Sequence, residues 1–320
     1  MFARTSMGKI DWVIVILFLA ATSSPALTIV RQFAGGEQPT NAIGGNLADV
    51  FNAASDMWEL AIHDDHVLVL EFGWAPVVGS FSSHTLLDHD GARETRGRIL
   101  FDNDLSAAHM TFWLDPTPWS AEEFASYHER RADLGGGDIV VARSWSTAPG
   151  IYLPGADVMT VALHEIGHSL GLSLGHPRWR AESADGSIEI VPPVPYARSV
   201  LDLATNLYGV TSHLSGNPPT GGALMAGSAS DQARTLVGGA DILANAGMSR
   251  WTNLNISLAP CLRIAGSSPD TLTLHWWSPV PGWVLESKSS LADDAWQPLG
   301  SGNPATITLK GGSGFFRLRD

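Results

Sequence analysis

The stretch that decides the fold and the chemistry is ALHEIGHSLGL, residues Ala162–Leu172. It contains the pattern HExxH, with His164 and His168 one helical turn apart and Glu165 directly after the first histidine. Residues at positions i and i+4 of an α-helix share one face, so both imidazoles can reach a single metal ion. Glu165 lies about 100° further round the helix, where a carboxylate can act on water without binding the metal. The pattern predicts a zinc site that activates water.

The flanking residues predict where this helix begins and ends. Pro154-Gly155 interrupts any regular structure before the helix, and Asp157 is then a good N-cap. Gly171 ends the helix. One face is apolar and the opposite face carries the two histidines. A surface helix with two solvated histidines is the alternative, but it leaves Glu165 and Gly171 unexplained.

The composition restricts the class of protein. A length of 320 residues suggests about two domains, and 44% hydrophobic residues are enough for a sizeable core. The net charge of −13 argues against a nucleic-acid partner. A single cysteine, Cys261, excludes an intrachain disulfide framework, so a metal site has to use His, Asp or Glu.

Residues 1–26 have the pattern of an export signal. Arg4 and Lys9 precede an apolar run of about ten residues, which is too short for the roughly 20 that span a bilayer. Ser24-Pro25-Ala26 then forms a small-x-small cleavage pattern. We therefore expect a secreted, periplasmic or cell-surface protein without a membrane span after signal cleavage. An uncleaved membrane anchor is the alternative.

Residues 27–255 predict a catalytic domain of the α+β (α/β) class, because helical and strand patterns are mixed along the chain. Ser120 followed by two glutamates predicts an N-capped helix that extends to Arg131. The other predicted elements before the metal helix are a helix over 46–62 and strands over 66–74, 97–101, 110–114 and 138–144.

The HEIGHSLG segment resembles the HExxHxxG core of the metzincin clan of zinc endopeptidases, whose members also carry a third histidine and a methionine turn below the metal. Ala223-Leu224-Met225-Ala226 resembles that turn. The resemblance implies that Met225 supports the site without binding the metal. The run 233–248 resembles the helix that follows the turn, and the similarity covers residues 40–255.

The third metal ligand has two main candidates. The commonest metzincin pattern has a histidine three residues after Gly171, but Leu174 occupies that position and cannot bind zinc. His213 is favoured because a ligand on a separate loop is free to find the metal. His176 is the alternative, although it requires a two-residue shift after a helix that has just ended. The remaining possibilities are Asp185, Glu182 or a site of two histidines.

With His213 as the ligand, the layout resembles leishmanolysin-like or matrixin-like enzymes. His213 lies twelve residues before Met225, and residues 172–212 become a polar insertion that we expect on the surface near the cleft. Elsewhere, His84, His89 and Asp90 would be the residues for a second metal, but their spacing does not define a site.

Residues 256–320 predict a small all-β sandwich. They resemble the fibronectin-III-like C-terminal modules of bacterial exported proteins. The strand-like runs are TLTLHWW at 271–277, GWVLESK at 282–288, WQPLG at 296–300, ATITLK at 305–310 and GFFRLRD at 314–320.

The sequence therefore predicts a secreted, monomeric zinc endopeptidase that acts on proteins or peptides. Zn²⁺ would be held by His164, His168 and a third ligand, and Glu165 would be the general base for the activated water. The alternative is a non-catalytic exported binding or surface protein that retains the metzincin fold.

Overall fold

The computed structural model describes residues 26–104, 111–226, 232–260, 262–268, 270–290, 292–293, 295–302, 304–308 and 314–319. The export signal up to Pro25 and Cys261 lie outside these ranges, so the signal stays a prediction. The chain divides into two compact units. One runs to Ala259 and includes Ser278–Pro281, and the other holds the remaining residues from Pro260 onward. None of the helices in these ranges has the length and apolarity needed to cross a membrane.

The described residues of the first unit mix four α-helices with four small sheets. In chain order its elements are β1 (Leu27–Gly35), β2 (Ala42–Gly44), α1 (Leu47–Ala61), β3 (His66–Ala75), β4 (Ser82–Asp90), β5 (Arg93–Asp102), β6 (Phe112–Leu114), β7 (Ser126–Asp133), β8 (Asp138–Ser146), β9 (Ala156–Asp157), α2 (Val158–Leu170), α3 (Trp179–Glu182), β10 (Ser187–Glu189), β11 (Val200–Asn206), β12 (Gly209–Leu214), a 3₁₀ turn (Leu224–Ala226), β13 (Ala233–Leu236) and α4 (Gly239–Ser249).

The largest sheet has the strand order β1-β3-β5-β4. β1, β3 and β5 are parallel, whereas β4 is antiparallel to β5 and forms one edge. Helix α1 begins at the N-cap Asn46, which accepts a hydrogen bond from the Asp49 amide, and Phe51 stacks on Phe72 of β3 at 4.0 Å between ring centroids. Helix α2 packs against α1, β4 and β5. The HExxH helix therefore lies next to the edge strand.

The inserted segment 172–212 is not the polar surface excursion that we predicted. It forms β10 and β11, which with β12 make a three-stranded antiparallel sheet. A Cβ atom on Gly247 of α4 would lie 2.6 Å from Ile188, so this sheet packs closely on that helix. The prediction was wrong because the apolar residues are dispersed among polar ones; those fully or largely buried are Leu172, Trp179, Ile188, Ile190, Val194, Leu201 and Leu203.

The predicted helix from Ser120 to Arg131 is also wrong. Residues 126–133 form β7, which pairs with the buried strand β8 in the register Tyr127↔Trp145. The hydroxyl of Ser120 caps only a local turn, with Oγ 3.1 Å from the Thr117 carbonyl oxygen. Hairpin pairing with the apolar strand β8, which follows directly in the chain, has outweighed the local capping signal.

The run 233–248, which resembled one helix, contains two elements. Residues 233–236 form β13 and pair with β8, and α4 begins at Gly239. A Cβ atom on Gly238 would lie 2.3 Å from the Val141 carbonyl oxygen, so the chain packs closely on β8 at this glycine. This close packing explains the break between β13 and α4.

The second unit consists of antiparallel strands. The five predicted runs each contain a strand, and β14 precedes them. Leu274, Trp276 and Leu285 form the centre of a core that both three-stranded sheets share. The strands are β14 (Arg263–Ser267), β15 (Thr271–His275), β16 (Val284–Lys288), β17 (Gln297–Gly300), β18 (Ala305–Thr308) and β19 (Phe315–Arg319).

Candidate metal centre and active site

The HExxH helix α2 is fixed at both ends. Asp157 caps its first turn by accepting hydrogen bonds from the amide and hydroxyl of Thr160, at 3.1 and 2.8 Å. Arg234 of β13 binds the same carboxylate, and the ion pair is buried. Gly171 ends the helix with φ of 152°, and a Cβ there would lie 2.7 Å from the Ser249 hydroxyl. The helix is therefore held rigidly between its cap and α4.

Three histidines converge on one point. His164 and His168 come from α2, and β12 brings in His213, whose Nε2 lies 3.1 Å from the Nε2 of His164. One ligand nitrogen from each ring lies within 4.8 Å of the other two, and no other such group of three His, Cys, Asp or Glu occurs in the described ranges.

Main-chain carbonyls fix the rings of both α2 histidines. Nδ1 of His164 lies 3.0 Å from the carbonyl oxygen of Leu224, and Nδ1 of His168 is hydrogen-bonded to that of Leu172. A carbonyl can only accept, so each Nδ1 carries the proton of the neutral ring. Each Nε2 is left with a lone pair, which is the arrangement of a metal-ligating histidine with its outer hydrogen bond.

Burial keeps these rings neutral. It lowers the pKa of His164 and of His168 to about 3, and it also lowers the pKa of His213. Neutral imidazole is the form that binds metal ions, so protons would not compete strongly with a cation at neutral pH.

Helix α4 supports both carbonyls, which the sequence pattern did not reveal. Asp241 accepts hydrogen bonds from the amides of Leu224 and Met225, at 3.2 and 2.8 Å. One turn later, Asn245 accepts from the amide of Leu172 at 3.1 Å. Both side chains are fully buried, and burial raises the pKa of Asp241 to about 6 against the effect of its amide donors. Asp241 thus holds the peptide group whose carbonyl orients His164, and Asn245 holds the amide of Leu172, the residue whose carbonyl orients His168.

Met225 follows Leu224, whose carbonyl orients His164, and is fully buried. A Cβ on Gly167 would come within 2.5 Å of its sulfur atom, so the thioether packs directly on the helix backbone between His164 and His168. Gly167 is the x residue before the second histidine, and its small size is what allows this contact.

Glu165 is 6% exposed and faces the edge strand β4. Ser82, the first residue of that strand, donates a hydrogen bond from Oγ to Oε1 of Glu165 at 2.7 Å. The carboxylate lines a cleft of about 740 Å³ together with the three histidines, residues 80–86 and residues 173–175. One carboxylate oxygen is therefore anchored beside an open cleft.

The alternative third ligands lie elsewhere. Nε2 of His176 is 2.6 Å from the carbonyl oxygen of Ala92, and its Nδ1 accepts from the amide of Arg178. Asp185 accepts hydrogen bonds from Ser187, and Glu182 pairs with Arg178 and Arg250. All three side chains are engaged away from the histidine group.

The hint of a second metal at His84, His89 and Asp90 is not supported by their positions. His89 and Asp90 are exposed at the end of β4, whereas His84 is hydrogen-bonded to Glu94. The three side chains do not converge because His84 lies well before His89 and Asp90 along the strand, and those two successive residues point to opposite faces.

No known protein family, curated protein or solved structure matches this chain. The class of the site therefore rests on its own residues: a partly buried, neutral histidine group, an anchored glutamate and a bordering edge strand.

Proposed function

We propose that this chain is a zinc-dependent endopeptidase, with His164, His168 and His213 as the metal ligands and Glu165 as the general base. The observation that carries the proposal is the convergence of three neutral imidazoles beside an anchored carboxylate. A tetrahedral zinc ion with bonds of 2.0–2.1 Å separates its ligand nitrogens by about 3.3 Å. The 3.1 Å between the Nε2 atoms of His164 and His213 fits that spacing.

Three nitrogen ligands are typical of catalytic zinc sites, which keep a fourth position open. When bound, Zn²⁺ supplies Lewis acidity toward water and toward the carbonyl of the substrate. Glu165 takes the proton from the attacking water and passes it to the leaving amine. Ser82 holds one oxygen of the carboxylate, so that the other oxygen is available to the water.

Peptides are the substrate class that best fits the walls of the cleft. β4 is an edge strand, and an unpaired strand edge binds an extended peptide through main-chain hydrogen bonds. The same strand carries Ser82, which donates a hydrogen bond to Glu165. A peptide paired with β4 would therefore pass beside the carboxylate of Glu165. His213 is preferred to His176 as the third ligand because both nitrogens of His176 already have main-chain partners.

Exchange of the base tests the proposal. In the zinc-loaded protein, Glu165→Gln should lower kcat/KM for a fluorescence-quenched peptide by about 10³-fold, because the general base is lost. Zinc content, counted by atomic absorption, should stay at the wild-type level. Glu189→Gln removes an exposed carboxylate on β10 and should leave both quantities unchanged.

Retained turnover in Glu165→Gln, or turnover that survives 1,10-phenanthroline, would rule out this mechanism. Zinc binding without hydrolysis of any peptide by the wild type would favour the non-catalytic alternative.

A further inference from the structure

A buried carboxylate–imidazole pair lies beside the histidine group and has no part in the chemistry above. Nε2 of His84 on β4 is 3.0 Å from both carboxylate oxygens of Glu94 on β5. The two side chains are only 3% and 1% exposed.

The fold makes room for this pair. A Cβ on Gly97 would lie 1.9 Å from Oε1 of Glu94, so any other residue at that position would displace the carboxylate. Burial raises the pKa of Glu94, and the hydrogen bond from His84 opposes this effect. A pair of apolar side chains would fill such a space without the cost of desolvating polar groups. The polar pair therefore calls for a role beyond packing.

The position of the His84–Glu94 pair beside the cleft indicates this role. The ring of His84 is 6.5 Å from that of His168 between centroids and nearly parallel to it, at 20°. Ser82, two residues earlier on the same face of β4, binds Glu165. His84 itself lines the cleft. Within the described ranges Glu94 is the only hydrogen-bond partner of the ring, so Nδ1 has none.

We propose that His84 is a substrate-contacting residue whose Nδ1 forms a hydrogen bond with the main chain of the bound peptide, close to the bond that is cleaved. Glu94 is its positioning residue, because it occupies Nε2 and fixes the ring. The inference rests on the proposed peptidase function. A peptide offers both an N–H and a C=O at each residue, so Nδ1 finds a partner whether or not it carries the proton.

Two amide substitutions separate the roles of the two nitrogens. His84→Gln places an amide near the position of Nε2, which keeps the contact with Glu94 but removes the Nδ1 nitrogen. His84→Asn places an amide near Nδ1 and loses the contact with Glu94. His84→Gln should lower kcat/KM for a quenched peptide about tenfold. His84→Asn should retain more activity, and zinc content should be unchanged in both.

His89→Ala is the matched control, because His89 is an exposed histidine on the same strand. It should leave kcat/KM at the wild-type value. Glu94→Gln keeps a hydrogen bond to the ring, so its kcat/KM should fall less than that of Glu94→Ala. Such a difference would show that Glu94 acts by orienting the ring and not by its charge.

A binding measurement gives a readout independent of turnover. Acetohydroxamic acid contacts only the metal and its surroundings, whereas a dipeptide hydroxamate also occupies the cleft. His84→Gln should weaken the dipeptide compound about tenfold relative to wild type and leave acetohydroxamic acid unaffected.

Three results would overturn the inference while the proposed function stands: wild-type kcat/KM in His84→Gln, equal weakening of both hydroxamates, or loss of zinc in that variant. An inactive wild type that still binds zinc would instead contradict the proposed function, and the inference would fall with it.

Discussion

His213 and His176 both follow the HExxH helix, yet their surroundings give them different chemistry. His213 lies on β12 with its Nε2 next to that of His164, and it lines the cleft. His176 lies in the turn after Gly171, where Nε2 contacts the Ala92 carbonyl and the Ser249 hydroxyl. Burial lowers the pKa of both rings, so a lowered pKa alone does not distinguish a metal ligand from a structural histidine. What distinguishes them is whether a ring nitrogen is left free to face other ligands.

The largest expected effect comes from removing each histidine in turn. His213→Ala should weaken zinc binding by about 10²–10³-fold, because one ligand of a structural site with four protein ligands accounts for roughly a quarter of a binding free energy of about 10–16 kcal/mol. His176→Ala should keep wild-type zinc affinity and instead lower the free energy of unfolding by about 2–3 kcal/mol. Competition with a fluorescent chelator and urea titration of the apoprotein measure the two effects. The opposite pattern would exchange the roles of the two residues.

A smaller effect should follow from the supports on α4. Asp241→Asn replaces an acceptor of three amide hydrogen bonds by a group with one acceptor atom, so the peptide that orients His164 loses part of its support. We expect zinc affinity to fall about 10–100-fold, as for other groups that orient metal ligands.

Ile242→Val, at the neighbouring buried position of α4, is the control for general destabilisation. It should lower stability by about 1 kcal/mol and leave zinc affinity unchanged. Equal zinc affinities in Asp241→Asn and Ile242→Val would mean that α4 does not act on the histidines.

The smallest effect concerns pH and sharpens the structural role of His176. Burial lowers its pKa from 6.5 to about 4, so the unfolded chain binds this proton before the folded one does as the pH falls. The stabilisation from neutral His176 is complete above about pH 6.5 and is lost on the way to pH 4. We expect the free energy of unfolding of the apoprotein to fall by about 2 kcal/mol over that pH range because of this residue.

His176→Gln keeps a donor for the Ala92 carbonyl but does not titrate, so its urea midpoint should fall less between pH 6.5 and 4 than that of wild type. Parallel curves for the two proteins would show that His176 is not the group responsible.

The local signals of the sequence were sufficient to predict α2. The N-cap Asp157, the apolar stripe and the terminating Gly171 act within a few residues of one another, so they do not depend on the rest of the fold. The strands of the second unit were also predictable, because their alternation and turns are local.

The wall of the cleft could not be predicted in the same way. β4 reads SSHTLLDHD, which has too few β-branched residues to indicate a strand. Gly91, the first residue of the two-residue loop to β5, was the signal that could have revealed it, and it has φ of 57°. Without that hairpin, Ser82, His84 and Glu94 could not be placed beside the histidines.

The third ligand and the residues of α4 depend on contacts far apart in the chain. Spacing did not decide between His213 and His176, because the path of the intervening segment sets which ring reaches His164. Asp241 and Asn245 could not be recognised from the sequence, since their partners Leu224 and Leu172 bind them through main-chain amides. Main-chain hydrogen bonds of this kind leave no trace in residue type.

An anomalous difference map, recorded at the zinc edge from crystals of the zinc-loaded protein, tests the central claim most directly. The proposal predicts one peak about 2.0–2.1 Å from the Nε2 atoms of His164, His168 and His213, with the carboxylate of Glu165 outside bonding distance. A peak bound to His176, a peak that has Glu165 as a ligand, or no peak at the histidine group would contradict it.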